Sequence, residues 1–277
     1  MKDLTQRTDG VLFETPSVQS LRFESVVRQF MIAPKPTDAE GIGVYSEKRM
    51  HAIIKHFLCE DESCHEVKLL SGKKGQRGIV ADVFVNGMAY EVQTGSFYPL
   101  RRKIEAYLQK TEHSVTVIYP VAAEKRINWI DPDSGEILKR TKSTKKGKIS
   151  DVMEEIYWFR DFLPNPRLTI CVFLMDVEEF RIRDGWDRSR TRGATKYDRI
   201  PTALRETLLL CRPEDYLRFL PQELPQEFKA SDYARLSGIR GVATYGSLKV
   251  FCKLGLIEPT EVRGRTQWYA KKTGTLL

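Results

Sequence analysis

The sequence predicts an α/β fold in which helices flank a mixed sheet. Helical and strand-like patterns alternate between residues 46 and 175, which is typical of layered folds of this class. Asn86-Gly87 separates two apolar runs, and this dipeptide is the strongest short signal for a β-hairpin. Residues 168–175 form a continuous apolar run, as in a strand buried on both faces. The same alternation is also compatible with an α+β arrangement.

The helices are predicted from apolar residues at helical spacing. The clearest covers residues 46–58, where Met50, Ile53, Ile54 and Phe57 fall on one face. An earlier helix is expected within residues 17–33, because Pro34 and Pro36 would end it. The remaining predicted helices are 98–108, 150–163, 202–210, 213–220, 230–236 and 242–254.

The strands are predicted from apolar and β-branched runs bounded by turn residues. Single strands are expected at 66–71, 79–85, 88–94, 114–119 and 168–175. A second hairpin is expected over 125–140, turning at 131–135, and a third over 257–269 with Arg263-Gly264-Arg265 near its tip.

Composition excludes several classes of protein. The 277 residues are 41% apolar, which is too many for a wholly disordered chain. No run of about 18 apolar residues exists, so a transmembrane helix is not expected. The first ten residues lack the apolar core of a secretory signal. Five cysteines, an odd number, do not resemble a disulfide framework, so a reducing, cytoplasmic setting is expected.

The positive charge is concentrated in three segments. The chain has 45 basic and 37 acidic residues, a net charge of +8. Residues 139–148 carry +6, residues 181–199 carry +4 and residues 228–277 carry +6, so the rest of the chain carries −8. A single basic run is a solvated loop about as often as it is a binding site. Three such runs on an acidic body favour a polyanion partner, and nucleic acid is the expected one.

Two carboxylates are expected to face each other across the Asn86-Gly87 hairpin. A two-residue turn pairs Asp82 with Glu91, and Gln93 then points to the same side as Glu91. Like charges in opposed positions destabilise a sheet, and a hard cation such as Mg²⁺ would remove that cost. The alternative is that both acids face solvent, paired with lysines. Because apolar residues surround them on both faces, we favour the metal site.

This pattern resembles the PD-(D/E)XK nuclease superfamily, whose core runs helix, three strands, helix, strand. The resemblance covers residues 46–120, or residues 46–175 at its widest, and it implies a restriction-endonuclease-like mixed sheet. It also implies phosphodiester cleavage that depends on Mg²⁺ or Mn²⁺, with Asp82 and Glu91 as metal ligands. Glu47 matches an acidic residue that assists from the first helix in many members.

The third motif position departs from the usual family pattern. The family usually has lysine there, whereas this chain has Gln93, which can orient a water but supplies no charge. Lys103 on the following helix or Lys68 on the preceding strand could compensate. Arg101 and Arg102 are candidate phosphate contacts, and their alternative role is a solvated helix face.

The C-terminal segment resembles a winged helix-turn-helix, which implies DNA binding. The resemblance rests on residues 228–239, the helix at 242–254, Gly255-Leu256-Ile257 and the basic hairpin that follows. The candidates for groove contact are Arg240, Thr244, Tyr245, Ser247 and Lys249. Arg263 and Arg265 on the wing would contact phosphate or the minor groove. The alternative is a winged helix used for protein contacts.

Residues 184–199 are rich in arginines and aromatic residues. Arg188, Arg190 and Arg192 are candidates to bind phosphates, with neighbouring rings stacking on exposed bases. A domain or subunit interface is the competing interpretation, because Trp and Arg are also frequent there.

His56, Cys59, Cys64 and His65 raise the question of a zinc site. Their spacing matches no usual structural zinc motif, so a helix end and loop is the preferred interpretation.

The predicted organisation has three parts: an N-terminal extension (1–40), a nuclease-like domain (41–200), and a helical connection with a winged helix (201–277). The favoured function is a Mg²⁺-dependent DNA endonuclease targeted by the winged helix. A non-catalytic DNA-binding protein with a degenerate nuclease fold and a protein-interaction module remain alternatives. Cutting both DNA strands would need two sites, so a homodimer is plausible.

Overall fold

The helices flank a large sheet. A computed structural model describes residues 10–31, 45–71, 78–186 and 192–272. The described helices are α1 (Pro16–Phe30), α2 (Tyr45–Leu58), α3 (Arg101–Lys110), α4 (Val152–Ile156), α5 (Ala230–Ser237) and α6 (Val242–Lys253). Short 3-10 helices lie at Val11–Phe13, Glu62–Cys64, Ile149–Asp151, Tyr157–Phe159 and Pro213–Phe219.

Strands make up two sheets. The strands are β1 (His65–Leu70), β2 (Ile79–Val85), β3 (Met88–Val92), β4 (Ser114–Ile130), β5 (Ile137–Lys142), β6 (Leu168–Trp186), β7 (Arg192–Leu210), β8 (Glu227–Lys229), β9 (Ile257–Arg263) and β10 (Thr266–Lys271). The larger sheet has the order β1-β2-β3-β4-β6-β7, and β5 pairs with the far end of β4. The smaller sheet has the order β8-β10-β9.

The larger sheet is mixed. β3, β4 and β6 run parallel to one another, whereas β1, β2, β5 and β7 join by antiparallel pairing. The chain crosses from β3 to β4 through α3, as a parallel connection requires. The described part of the chain therefore has a mixed α/β fold with a large mixed sheet flanked by helices.

Each face of the larger sheet has its own apolar core. On one face, Phe23 of α1 and Phe57 of α2 pack with Phe173 of β6. On the other face, Tyr107 of α3 and Met153 of α4 belong to the core. Burial on both sides explains why the central strands are almost continuously apolar.

The C-terminal helices pack onto the α4 face of the larger sheet. The core on that face continues into Phe228, Tyr233 and Phe251, so one apolar cluster joins the two parts. Gly246 of α6 makes this approach possible, because a Cβ atom there would lie 3.3 Å from Cβ of Tyr157.

The prediction of a helix at 202–210 is wrong, because these residues complete β7. β7 pairs antiparallel with β6 from Leu210 opposite Ile170 to Arg192 opposite Trp186. Leu, Ala, Arg and Glu favour helices locally, but pairing with a buried strand overrides that preference. The expected boundary after residue 200 therefore falls inside a strand, and the larger sheet continues to Leu210.

Other elements differ in length or type. β4 continues to Ile130 and β6 to Trp186, well past the predicted ends at 119 and 175. Only Val152–Ile156 of the predicted helix at 150–163 is α-helical, and the predicted helix at 213–220 is a 3-10 helix. The hairpin turns at Asn86-Gly87 and at 131–135 lie where they were predicted. Within the described residues, no helix is both long and apolar enough to span a membrane.

Candidate active site

The β2–β3 hairpin has the register that its turn predicts. Asn86 and Gly87 have φ angles of 50° and 74°, and two positive angles are characteristic of a type I′ turn. The pairs Val83–Tyr90, Phe84–Ala89 and Val85–Met88 follow. The next positions in this register are Asp82 and Glu91. There the Asp82 carboxylate accepts a hydrogen bond from the backbone N–H of Val92, with 2.7 Å between Oδ2 and N.

Glu91 is a buried carboxylate held by two side chains of α3. Only 3% of Glu91 is exposed. Its Oε2 atom lies 2.5 Å from Nζ of Lys103, and its Oε1 atom accepts a hydrogen bond of 2.6 Å from the hydroxyl of Tyr107. Lys103 and Tyr107 are four residues apart and therefore project from the same face of the helix. α3 thus supplies one cation and one neutral donor to Glu91.

The protonation of Glu91 is balanced close to neutrality. Burial and, to a lesser degree, the nearby Asp82 carboxylate raise the pKa of Glu91 to about 7, although Lys103 and the two hydrogen bonds act in the opposite direction. Burial and the adjacent Glu91 raise the pKa of Tyr107 above its usual range, so its hydroxyl stays protonated and donates. A carboxyl with such a pKa beside a second carboxylate is common in functional sites.

Asp82 and Glu91 offer oxygen ligands for one small cation. Within the described residues, no group of three or more His, Cys, Asp or Glu side chains is arranged to hold a metal. Mg²⁺ is usually bound by one or two carboxylates together with waters and phosphate oxygens. The donor set therefore fits Mg²⁺ completed by water and substrate, and it does not fit an all-protein cage. Binding through Oε2 of Glu91 would compete with Lys103.

Gln93 fixes the loop after β3. Its backbone N–H donates to the carbonyl of Ile118 on β4 over 2.9 Å, and its side-chain Nε2 donates to the carbonyl of Ser96 over 2.7 Å. Lys68, the other lysine considered for compensation, is exposed on β1. Of the two lysines considered, Lys103 is the one that contacts Glu91.

Arg101 and Arg102 begin α3. The guanidinium of Arg101 lies 3.7 Å from Asp161 and packs over the ring of Phe162, whereas Arg102 is exposed. Arg102 is therefore placed where a phosphate could reach it, and Arg101 is already engaged within the protein.

Several candidate residues lie outside the described structure. Glu47 is within α2, but its side chain is not described. Arg188 and Arg190 lie outside the described residues, and for Arg192 only the backbone, at the start of β7, is described.

The small sheet, α5 and α6 carry the candidates for DNA contact. Arg240, Tyr245 and Lys249 are exposed, and Nζ of Lys249 lies 5.7 Å from the centre of the Tyr157 ring. Thr244 differs from its expected position, because it is 3% exposed and its hydroxyl donates to the carbonyl of Ile239. Its hydroxyl secures the turn before α6 and does not face a groove. Ser247 is likewise buried, and its hydroxyl donates to the carbonyl of Ala243, so it is not a groove contact either.

The two wing arginines have different surroundings. Arg263 forms ion pairs of 2.6 Å with Glu261 and 2.9 Å with Glu227, and its guanidinium lies 4.3 Å from the centre of the Trp268 ring. Arg265 is exposed at the tip of the β9–β10 hairpin. Arg265 is therefore the more accessible of the two to a phosphate.

The cysteines and histidines at the end of α2 and in the segment that follows it lie close together, but the described residues do not form a built metal site. The rings of His56 and His65 are 4.8 Å apart, and Nε2 of His65 lies 2.8 Å from the carbonyl oxygen of Cys59. Cys59 and Cys64 are free cysteines. These contacts fit a helix end closed onto the following strand.

Sequence reasoning missed Tyr107. Its position four residues after Lys103 on an amphipathic helix was the available signal, but its aromatic ring alone indicated only a core residue. The hydrogen bond to Glu91 depends on how α3 packs on β3, and a sequence pattern does not contain that information.

Comparison with known proteins identifies one family. No curated protein and no solved structure matches the chain. The model of a family described as Domain of unknown function (DUF8091) matches residues 48–211. The matched segment begins in α2 and ends just after β7, so it contains the larger sheet, Asp82, Glu91 and α3. Since the match covers more than half of the 277 residues, the chain belongs to the DUF8091 family.

Proposed function

We propose that this protein is a Mg²⁺-dependent DNA endonuclease. The observation that carries the proposal is the buried Glu91 carboxylate beside Asp82, in contact with Lys103. The order α2, β1, β2, β3, α3, β4 supports it, because the PD-(D/E)XK resemblance implies the same succession of helix, three strands, helix and strand.

Asp82 and Glu91 would hold the cation in this centre. When bound, Mg²⁺ supplies a Lewis acid that activates water and stabilises the charged phosphate. The hydrogen bond from the Val92 N–H orients the Asp82 carboxylate, and the hydroxyl of Tyr107 orients that of Glu91. Both ligands are thus fixed by groups of the surrounding fold, which favours a defined geometry.

Lys103 would supply the positive charge that Gln93 lacks. Its ammonium group reaches the centre from α3, one helix beyond the usual motif position. There it can stabilise the negative charge that develops on the phosphate when water attacks phosphorus and the ester oxygen leaves. The amide of Gln93 holds the loop at Ser96, and its oxygen remains an acceptor suited to orienting a water.

The C-terminal part would bring the duplex to this centre. The small sheet with α5 and α6 has the order strand, helix, helix and hairpin that the winged-helix resemblance implies. Arg240, Tyr245, Lys249 and Arg265 are exposed on it and are suited to phosphate and groove contacts. The +6 charge of residues 228–277 favours a polyanion over a protein partner.

One observation favours a second candidate, a non-catalytic DNA-binding protein. Both carboxylate oxygens of Glu91 already accept from protein donors, and Oε2 is paired with a lysine. If the ion pair between Lys103 and Glu91 is more stable than metal binding by Glu91, the nuclease-like centre would only stabilise the fold.

Cleavage of supercoiled plasmid and of branched DNA, with Mg²⁺ or Mn²⁺, distinguishes the two candidates. We expect Asp82→Asn to lower the cleavage rate by more than roughly 100-fold, because it removes a charged metal ligand while keeping the shape of the side chain. Glu105→Gln is the matched control, since Glu105 is exposed on α3 and contacts Gln109. This control variant should cleave like the wild type.

Two results contradict the proposed function. Equal cleavage by the wild type and Asp82→Asn would mean that the activity comes from another site of the protein or from a contaminating nuclease. DNA binding by the wild type without cleavage of either substrate would support the non-catalytic candidate.

A further inference from the structure

Trp129 lies between two cations on an extension of the sheet. On β4 it is paired with Lys139 of β5 on one side and with Arg181 of β6 on the other. Paired residues in neighbouring strands project to the same face, so the indole is flanked by positive charge. The indole N–H donates to Oγ1 of Thr141 over 3.2 Å, and the guanidinium of Arg181 lies 5.7 Å from the ring centre. These contacts fix the orientation of the ring.

A cavity of about 300 Å³ opens beside this ring. It is lined by Trp129, Leu138, Lys139, Thr141 and Arg183. An aromatic ring and an exposed leucine form apolar walls, and the charged groups among the described lining residues are a lysine and an arginine. This volume is at the lower end of the range in which proteins bind small ligands, so it suits a single flat group.

Within the described part of the chain, the two lining cations have no acidic partner. Among the described residues, no carboxylate forms an ion pair with Lys139 or Arg183. Arg181 differs, because it is held by Glu179 at 2.5 Å. Two unneutralised cations beside apolar walls fit a ligand that combines an anion with a flat apolar body.

Building on the proposed action on DNA, we propose that this cavity binds an unpaired nucleotide of a DNA strand. The base would stack against Trp129 and Leu138, and the flanking phosphates would lie at Lys139 and Arg183. A strand fits better than a free nucleotide, because the positive charge continues past the cavity at Arg140 and Lys145, both exposed. Repeated cations along an exposed edge match the repeated phosphates of a polymer.

The cavity is far from the carboxylate pair. Glu91 of β3 is paired with Val117 of β4, and Trp129 lies twelve residues further along β4. At about 3.3 Å per residue the separation along the strand is roughly 40 Å. A DNA molecule that reaches both places would extend roughly ten or more nucleotides from the cleaved bond. The cavity would therefore select DNA with an unpaired segment at a distance from the cut.

Binding without metal tests this inference independently of cleavage. The probes are a labelled oligothymidylate of about 15 nucleotides and a blunt duplex of the same length, both in EDTA. We expect Trp129→Ala to weaken oligothymidylate binding roughly tenfold, because one stacked base is lost, and to change duplex binding by less than about twofold. Trp129→Phe, which keeps a ring, should bind the oligothymidylate within about threefold of the wild type.

Arg183→Gln tests the phosphate contact. It also provides the test of the cavity if Trp129→Ala does not fold. It should reduce the slope of log affinity for the oligothymidylate against log salt by about 0.7, the value for one phosphate contact on a single strand. The matched control is Arg28→Gln, whose side chain is 79% exposed on α1 and is not among the described residues that line the cavity. An unchanged slope in Arg183→Gln overturns the proposal. So does wild-type affinity in a folded Trp129→Ala, or an equal loss on both probes.

Discussion

Two buried glutamates of the same sheet differ in how their charge is compensated. Glu179 on β6 is 1% exposed and is bound by Arg181 at 2.5 Å and Lys125 at 3.1 Å. Glu91 on β3 is 3% exposed and has one cation, one neutral donor and a second carboxylate nearby. Burial raises the pKa of both, but the two cations bring that of Glu179 below its usual value, whereas that of Glu91 rises to about 7.

The difference separates a structural ion pair from a candidate reaction centre. Two cations satisfy Glu179, so its ionised form belongs to the stable fold. At Glu91 a single cation offsets the negative charge, and the nearby Asp82 carboxylate repels it. A buried carboxylate in such surroundings lowers the stability of the fold. An added cation would remove that cost, which is why the metal site is proposed at Glu91 and not at Glu179.

Neutralising each glutamate in turn should give the largest difference between the two sites. We expect Glu179→Gln to lower the free energy of unfolding at pH 8 by about 1–3 kcal/mol, because Arg181 and Lys125 lose a buried partner. Glu91→Gln should cost less, since it removes an unfavourably placed charge. Urea unfolding followed by circular dichroism measures both.

The pH dependence gives the internal control for these variants. The pKa of Glu91, about 7, exceeds its usual 4.5, so the folded chain holds this proton more tightly than the unfolded chain. The resulting stability is present below about pH 4.5 and is lost as the pH rises to about 7. Between pH 5 and pH 8, Glu91→Gln should therefore lose less stability than the wild type. An identical decline in both would show that Glu91 is not the titrating group.

A smaller effect is expected from Tyr107→Phe. The hydrogen bond from Tyr107 lowers the pKa of Glu91, so its loss should raise that pKa and shift the acid limb of the cleavage profile to higher pH. At neutral pH we expect cleavage to fall several-fold, about the effect of one hydrogen bond to a charged group. Cleavage rates between pH 5.5 and 9 would show the shift. A uniform loss without any shift would mean that Tyr107 only supports packing.

Local chemistry explains which features the sequence predicted. Asn86-Gly87 specifies its turn from two adjacent residues, so the register that sets Asp82 against Glu91 was predictable. The strand conformation of residues 202–210 was not predictable, because it depends on pairing with β6, which is distant in sequence. Thr244 was expected on the DNA-facing side, but its environment depends on the turn at Ile239.

The pairing of buried charges was the least predictable feature. Glu91 and Glu179 both lie in apolar strands, and only the packing of α3, β4 and β6 decides which cations reach each one. Lys103 was one of two lysines considered for the centre, and nothing in the sequence separated it from Lys68. The position of a lysine or tyrosine on a helix does not indicate which strand residue it contacts.

The most direct test of a cation-binding centre is a titration of the Glu91 carboxyl group. Its ¹³C resonance can be assigned by its loss in Glu91→Gln and followed with pH, with and without Mg²⁺. We expect a pKa near 7 without metal and a decrease of at least about one unit in saturating Mg²⁺, because a bound cation favours the ionised form. A pKa near 4.5 without metal, or one that Mg²⁺ does not move, would contradict the assignment of this centre.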